Sequence, residues 1–444
     1  MKLSRSFAKK ITNEPARILA VSFFLAILVG TLLLLLPLAS ATGEPLSILD
    51  ALFTATSAVC VTGLIVQDTA TFFSPFGKAV ILALIQVGGL GIMTISTAIA
   101  LIVRQDISIV SKSTMREALD QRSFEELSHL MRRIIRGTFL IELIGGVLIA
   151  MALKPNMETW REALLYGFFH SVSAFCNAGF SLFSDSLMSY DHNFLVLGTV
   201  SSLVILGGLG FTILGPLLAF RLPRGLHARL VVSTTLALLA GGTFFFFFTE
   251  FSHAFHGSTI PQRFLQSFFH SAMARTAGFN AIDLSTFGSA SIIVLYFLMF
   301  VGASPGSTGG GVKTSTFGIL FQSLKALMKG RENVEYAGRT IPQELILKAV
   351  SITMLSLALV FVFCIILFIT EEASFRVVLF EVFSAFGTVG LSLGLTPHLT
   401  GLGKFFITIL MYLGRIGPVT LALVLSGTPK LVRYKYPEGK VMIG

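Results

Sequence analysis

The sequence predicts an all-α integral membrane protein built from four copies of one unit, each a span, a short half-helix, a glycine-bearing segment and a second span. Three observations predict it. Hydrophobic residues make up 54 % of the 444 residues, the 41 glycines bring that share to about 63 %, and charged residues are only 13 %, against about 45–50 % and about 25 % in an ordinary soluble domain. Apolar runs long enough to cross a ~30 Å hydrocarbon core as helices are interspersed with apolar runs too short to cross. The short runs share a pattern that ends in glycine. This composition excludes a soluble enzyme, a disordered scaffold or a secreted disulfide domain as a description of the whole chain. Cys60, Cys176 and Cys364 are an odd set in apolar sequence and form no pairable framework.

The first span, Ile18 to Leu38, follows a cytoplasmic N-terminus of residues 1–17. Lys9, Lys10 and Arg17 ahead of it and Ala39-Ser40-Ala41 behind it imitate a cleaved signal peptide, but the run exceeds the ~7–15-residue apolar core of one. Further long runs lie near 76–103, 134–153, 194–220, 230–248, 290–328 (broken in the middle), 345–370 and 403–426. Short ones lie near 48–60, 161–176, 262–274 and 375–387, a length typical of re-entrant half-helices. The expected layout is therefore eight transmembrane helices and four re-entrant pore loops around a central pseudo-fourfold pore. Repeat one covers 18–103, a cytoplasmic loop 104–133, repeat two 134–221, repeat three 229–328 with an intramembrane loop at 302–312, a cytoplasmic loop 329–344, repeat four 345–426 and a cytoplasmic tail 427–444. With the N-terminus inside, 25 of the 33 Lys and Arg residues fall on the cytoplasmic side, the asymmetry that sets orientation. The net charge of +10 is thus read as attraction to an anionic lipid leaflet, not to nucleic acid.

The short segments align with one another. Phe53-TATSAVCVTG-Leu64, Phe169-HSVSAFCNAG-Phe180 and Phe380-EVFSAFGTVG-Leu391 share Phe, Ser-Ala and a closing Gly-[Leu/Phe] without gaps, and Phe269-HSAMARTAG-Phe279 is one residue shorter. Gly63, Gly179, Gly278 and Gly390 are 116, 99 and 112 residues apart, so the unit is about 110 residues long. A second cluster of small residues follows each: Gly88 to Gly91, Gly207 to Gly210, Gly302 to Ser304 and Gly414 to Gly417. Gly88 lies outside the glycine segments, and its substitution by Ala is expected to leave ion preference alone. Non-helical backbone at membrane depth is tolerated only where it is buried or lines a water-filled path. Four such segments around one axis would aim carbonyls at a central line, with four half-helix C-termini adding partial negative charge. That arrangement suits a dehydrating monovalent cation. The rival reading makes these glycines packing notches, which need neither a preceding half-helix nor a Ser-Ala offset.

Thr388-Val389-Gly390-Leu391 resembles the filter of potassium channels, and the whole chain resembles the superfamily of Trk, Ktr and HKT potassium transporters, most closely the membrane subunits of bacterial Ktr systems. The resemblance rests on Val61-Thr62-Gly63, Asn177-Ala178-Gly179, Thr276-Ala277-Gly278, Thr388-Val389-Gly390, Gly302 to Lys313, Gly414 to Pro418 and Tyr436-Pro437-Glu438-Gly439. It implies that those four triplets form a selectivity filter binding K⁺ through backbone carbonyls, in a bacterial inner-membrane transporter with both termini cytoplasmic. It also implies a homodimer, no cofactor in this chain, enhancement by Na⁺, and a cytosolic KtrA-type regulatory ring that binds ATP or ADP. Gly63, where a serine would favour Na⁺, points to K⁺. The alternative is a Trk-like or HKT-like potassium/sodium transporter with a different regulatory partner.

Gly302-Ala303-Ser304-Pro305-Gly306-Ser307-Thr308-Gly309-Gly310-Gly311 cannot continue a helix, since each Gly costs about 1 kcal/mol and Pro about 3. The resemblance makes it a gate loop beneath the filter, with Arg415 projecting into the pore as a positive barrier. Gly306 to Thr314 nearly fits a phosphate loop, missing by the inserted Val312 and by the absence of a preceding strand; a passive kink is the other reading. Arg415 could instead pair with Glu142 or Glu381, because an unpaired charge in a span costs ~2.5–3.5 kcal/mol. Arg275 is expected to pair with the terminal carbonyls of its half-helix. His170 and His270 are read as bonding within half-helix packing, and no Ser/His/Asp set, carboxylate pair or CxxC points to an enzyme.

Overall fold

In the computed structural model, residues 15–91, 124–218, 221 and 225–417 are described. Unit one comprises α1 (Pro15–Leu34), α2 (Ile48–Val59) and α3 (Pro75–Leu90). Unit two comprises α4 (Phe124–Leu153), α5 (Trp160–Phe175), α6 (Phe194–Gly208) and α7 (Phe211–Leu218). Unit three holds α8 (Leu226–Thr249), α9 (Ile260–Met273), α10 (Ser289–Phe300) and α11 (Thr314–Met328), and unit four α12 (Gln343–Thr370), α13 (Phe375–Gly387) and α14 (Gly401–Ile416). Strands β1 (Glu335–Tyr336) and β2 (Arg339–Thr340) form a small antiparallel hairpin after α11.

The short helices α2, α5, α9 and α13 sit innermost. Three start at a side-chain cap: Ser47 accepts from the Asp50 amide, Thr159 from Glu162, and Thr259 forms a capping box with Gln262, each satisfying an otherwise orphaned N–H. The phenylalanines that recur inside them, Phe53, Phe169, Phe269 and Phe380, are buried. The outer helices reverse the usual pattern, leaving Leu32 67 %, Phe361 68 % and Phe248 72 % exposed. Water would penalise such a surface, whereas hydrocarbon does not. α4, α8 and α12 are long and apolar enough to cross a membrane, as is α6–α7 if that bent pair counts as one span.

Several boundaries differ from the sequence expectation. The loop expected at 104–133 is helical from Phe124, inside α4. The run 194–220 is two helices bent by 114°, because Gly210 has φ +89°. The runs 76–103 and 403–426 stop as helices at Gly91 (φ +79°) and Gly417 (φ +89°); 92–103 and 418–426 lie outside the described residues, as do most of 104–133 and all of 427–444. The loop 329–344 contains the β hairpin.

Small residues let the second helix of a unit touch the end of its half-helix. A Cβ on Gly88 would meet the carbonyl of Val59, one on Gly207 that of Phe175, and one on Gly414 that of Phe386. Each of these carbonyls belongs to the residue four before Gly63, Gly179 or Gly390 of its own unit. The same helix α6 offers a control, for a Cβ on Gly198 meets nothing within 4 Å. Gly207→Ala should therefore destabilise the protein by about 1–3 kcal/mol through overpacking, while Gly198→Ala is neutral or stabilising. Thermal unfolding of the two purified variants checks this, and equal melting temperatures would reject the close-contact argument.

Candidate functional site

Each unit places left-handed residues two apart. The φ angles are 56° and 93° at Val61 and Gly63, 60° and 71° at Asn177 and Gly179, 74° and 73° at Thr276 and Gly278, and 49° and 90° at Thr388 and Gly390. Alternation of this kind turns successive N–H groups to one side of the strand and successive carbonyls to the other. The N–H side faces the half-helix. Thr62, Ala178 and Val389 donate to the carbonyls of Ser57, Ser173 and Ser384 at 2.7–2.8 Å, and Gly63 and Gly390 donate to the hydroxyls of Ser57 and Ser384, both at 3.1 Å. Unit three lacks that serine, and Ala277 uses the Met273 carbonyl at 3.1 Å. The serine of the shared Ser-Ala is thus an anchor for the amides of the glycine triplets. Holding β-branched Val61, Thr276 and Thr388 at positive φ costs about 1–3 kcal/mol each, and these bonds offset that strain.

The other side closes into a ring. A Cβ on Gly63 would meet the Ala178 carbonyl, one on Gly179 the Ala277 carbonyl, one on Gly278 the Val389 carbonyl, and one on Gly390 the Thr62 carbonyl. The circuit runs through the units in order and returns to its start, so the four triplets lie together around one axis. The side chains of Val61, Thr62, Asn177, Ala178, Thr276, Ala277, Thr388 and Val389 are all buried, which leaves the backbone as the lining. Above the ring a cavity of about 210 Å³ has the four glycines in its floor, with Ser181, Asp185, Ser392 and Thr396 among its walls. At the rim, Asp68 accepts from the Ser184 hydroxyl of unit two at 2.6 Å. Partial burial pushes the Asp68 carboxyl up, but bonds from Ser184, Ala70 and Thr71 and the charge of Lys78 more than offset it and leave the group below its ordinary value.

Below the ring, residues 301–313 interrupt the chain between α10 and α11 and form a hanging loop. Gly302 and Val312 pair at its neck, 2.8 Å apart. Its tip bonds to unit two, where Ser304 donates to Gly208 at 3.0 Å and the Thr308 hydroxyl to Phe175 at 3.2 Å. It reaches unit four through Gly310, whose amide donates to the Thr388 hydroxyl at 3.1 Å, and a Cβ on Gly309 would strike Thr276. The loop therefore fills the space directly under the ring. The amides of Thr308, Gly310, Val312 and Thr314 are committed to protein partners, which counts against the phosphate-loop reading.

Arg415 donates to the carbonyls of Thr308 in the loop and Gly88 in unit one. It does not pair with the carboxylates offered as alternatives: Glu142 bonds Gln86, and Glu381 bonds Ser392 and Thr396. Gly88 is accordingly no neutral site, since it holds Arg415 and abuts Val59. Arg275 also departs from expectation. The last carbonyls of α9 are taken by the amides of Ala274, Arg275 and Ala277, and the Arg275 Nε finds no partner. His170 and His270 bond the carbonyls of Tyr166 and Gln266, both at 2.8 Å.

The family description "Cation transport protein", TrkH, matches residues 8–434. The chain belongs to the TrkH family of cation transport proteins. It is 39 % identical over 440 residues to "Ktr system potassium uptake protein B" of Bacillus subtilis, covering 98 % of each chain. It is 39 % identical to "Potassium/sodium uptake protein NtpJ" of Enterococcus hirae, covering 97 % of each. Among solved structures it resembles the potassium transporter TrkH of Vibrio parahaemolyticus, with a TM-score of 0.68 at 19 % identity over 91 % of this chain and 84 % of that one; this likeness speaks to the fold. For this TrkH-family chain the sequence reading missed Lys313, whose Nζ donates to the Gly309 carbonyl at 2.7 Å. Its only signal was a basic residue at the edge of a glycine run. It also missed the serines as anchors, although their recurrence was visible. Ser57→Ala and Ser384→Ala each leave a buried amide unpaired and should cost about 1–3 kcal/mol. A melting temperature equal to that of the parent in both would reject the anchor role.

Proposed function

We propose that this chain is the ion-conducting membrane subunit of a bacterial K⁺-uptake system. The observation that carries the reading is the closed ring of four glycine triplets whose amides are turned outward. A ring of backbone carbonyls replaces the hydration shell of a monovalent cation and offers an anion no donor. K⁺ sheds water more readily than Na⁺, so a narrow ring that demands dehydration favours it. In this reading α2, α5, α9 and α13 are the re-entrant half-helices. The remaining helices make eight spans, several broken at the small-residue clusters, with both termini cytoplasmic in the inner membrane. Loop 302–311, tied by Arg415, is the gate. The relative named for potassium and sodium favours Na⁺ as a companion ion, and the Ktr-system relatives favour a homodimer regulated by a cytosolic KtrA-type ring that binds ATP or ADP. Growth rescue at low external K⁺ of a bacterium without its own K⁺-uptake systems, with and without that ring subunit, tests the reading; no rescue in either condition at normal protein levels would reject it.

A side chain at Gly63 or Gly390 faces the neighbouring carbonyl and a positive φ together. Gly63→Ser and Gly390→Ser should raise the apparent KM for K⁺ and weaken preference over Na⁺ by tenfold or more, read from uptake competition. Unchanged kinetics in both would sink the filter assignment.

A fixed guanidinium about 5 Å from the ion path raises the barrier by about 3 kcal/mol at an effective dielectric near 20, and each ~1.4 kcal/mol is tenfold in rate. Arg415→Gln, or deletion within 302–311, should therefore raise the maximal K⁺ rate per folded transporter while the KM stays near its parent value. Arg415→Lys keeps the charge but cannot hold both carbonyls and should fall between. A lower rate per transporter for Arg415→Gln would reject the gate.

A further inference from the structure

One buried position behind the ring is used differently in the four units. The residue after the half-helix phenylalanine is Thr54, His170, His270 and Glu381 in turn, and all four are buried. In unit four the Glu381 carboxyl accepts from the Ser392 hydroxyl at 3.0 Å and from that of Thr396. In unit two the His170 Nε2 lies 2.9 Å from the Ser181 hydroxyl. Ser392 and Ser181 each stand two residues beyond their filter glycine, and both line the cavity above the ring. His170 Nδ1 faces the Tyr166 carbonyl at 2.8 Å, so it carries the proton of a neutral ring and leaves Nε2 as an acceptor. In both units, then, the half-helix presents an acceptor to the same serine; the Ser181 proton has the Ser186 carbonyl at 3.1 Å as a second acceptor, longer than His170 Nε2 at 2.9 Å.

The other two units have no such bond. The residues two beyond their glycines are Ile65 and Asn280, and Thr54 Oγ1 and His270 Nε2 have no partner. The ring order given by the glycine contacts makes units two and four opposite each other. Each serine also organises its own loop, for Phe183 donates to Ser181 at 2.9 Å and Gly394 to Ser392 at 3.0 Å. The segments leaving the ring there contain only short turns, so this hydroxyl links the wall of the mouth to the half-helix below it.

We infer that Glu381 and His170 are positioning residues, a matched pair of struts that hold two opposed filter segments at the spacing that distinguishes K⁺ from Na⁺. The inference rests on the K⁺-filter reading. The test uses the full chain with Ser392→Ala, Ser181→Ala and Glu381→Gln, and Thr54→Val as the variant that removes an unpartnered hydroxyl. Loss of one hydrogen bond should weaken K⁺-over-Na⁺ discrimination in uptake competition by roughly two- to tenfold in each serine variant, through the KM and not the maximal rate. Glu381→Gln, which keeps an acceptor, should fall between, and Thr54→Val should match the parent. Hydrogen exchange over 388–398 reads the strut without any ion: it should quicken in Ser392→Ala and stay unchanged in Thr54→Val. Parental exchange and discrimination in Ser392→Ala and Ser181→Ala overturn the struts, as does an equal effect in Thr54→Val. A parent chain that moves no K⁺ counts against the filter reading instead, and in that case the exchange result alone upholds or overturns the struts.

Discussion

The backbone alternation at the four glycine triplets is the constraint on which the rest of the structure depends. Turning every carbonyl of a short strand to one side requires its amides to find partners on the other, and in a buried site water cannot supply them. The half-helices exist at the right place to do so, since their last carbonyls and the Ser57 and Ser384 hydroxyls receive those amides. The tight approach of Gly88, Gly207 and Gly414 to the same helix ends then follows. A bulkier helix face would push the half-helix, and with it the anchored strand, toward the axis.

Unit three departs from the others where a loop separates α10 from α11. That loop bonds to units two and four directly and to unit one through Arg415. Its two adjacent carbonyls at Thr308 and Gly309 are occupied by Arg415 and Lys313. Moving the loop away therefore requires breaking these side-chain bonds as well as those that tie it to units two and four.

Much of this was legible in the sequence, and the limits are physical. Composition fixes the solvent of the outer surface, so the helical class was readable from hydropathy alone. The gapless Ser-Ala-x4-Gly offsets locate three of the four segments that the fold gathers, and the shared Phe and closing Ala-Gly-Phe locate the remaining one, because a local turn geometry demands similar residues each time it is built. What offsets cannot carry is contact between units: Arg415 finding Thr308 and Gly88, or Arg275 finding its half-helix carbonyls already taken. Hydropathy likewise shows 194–220 as one uninterrupted run, since Gly210 bends the chain without any polar residue to mark the break; only the small-residue cluster Gly207 to Gly210 signals it. The basic loop 104–133 concealed the start of α4 for the converse reason, as charged residues on an extended helix read like a loop.

Comparison of the four triplets indicates which groups the site uses. The first position is Val61, Asn177, Thr276 or Thr388, and the second is Thr62, Ala178, Ala277 or Val389. Apolar, amide and hydroxyl side chains all occur, every one of them buried, while the left-handed geometry at the first and third positions is the same in all four units. A site that bound its ligand through side chains would need matching chemistry at matching places. This one varies the side chains and keeps the backbone, so in the proposed filter the common ligand is a backbone atom; with the amides anchored outward, that atom is the carbonyl oxygen, which attracts positive charge.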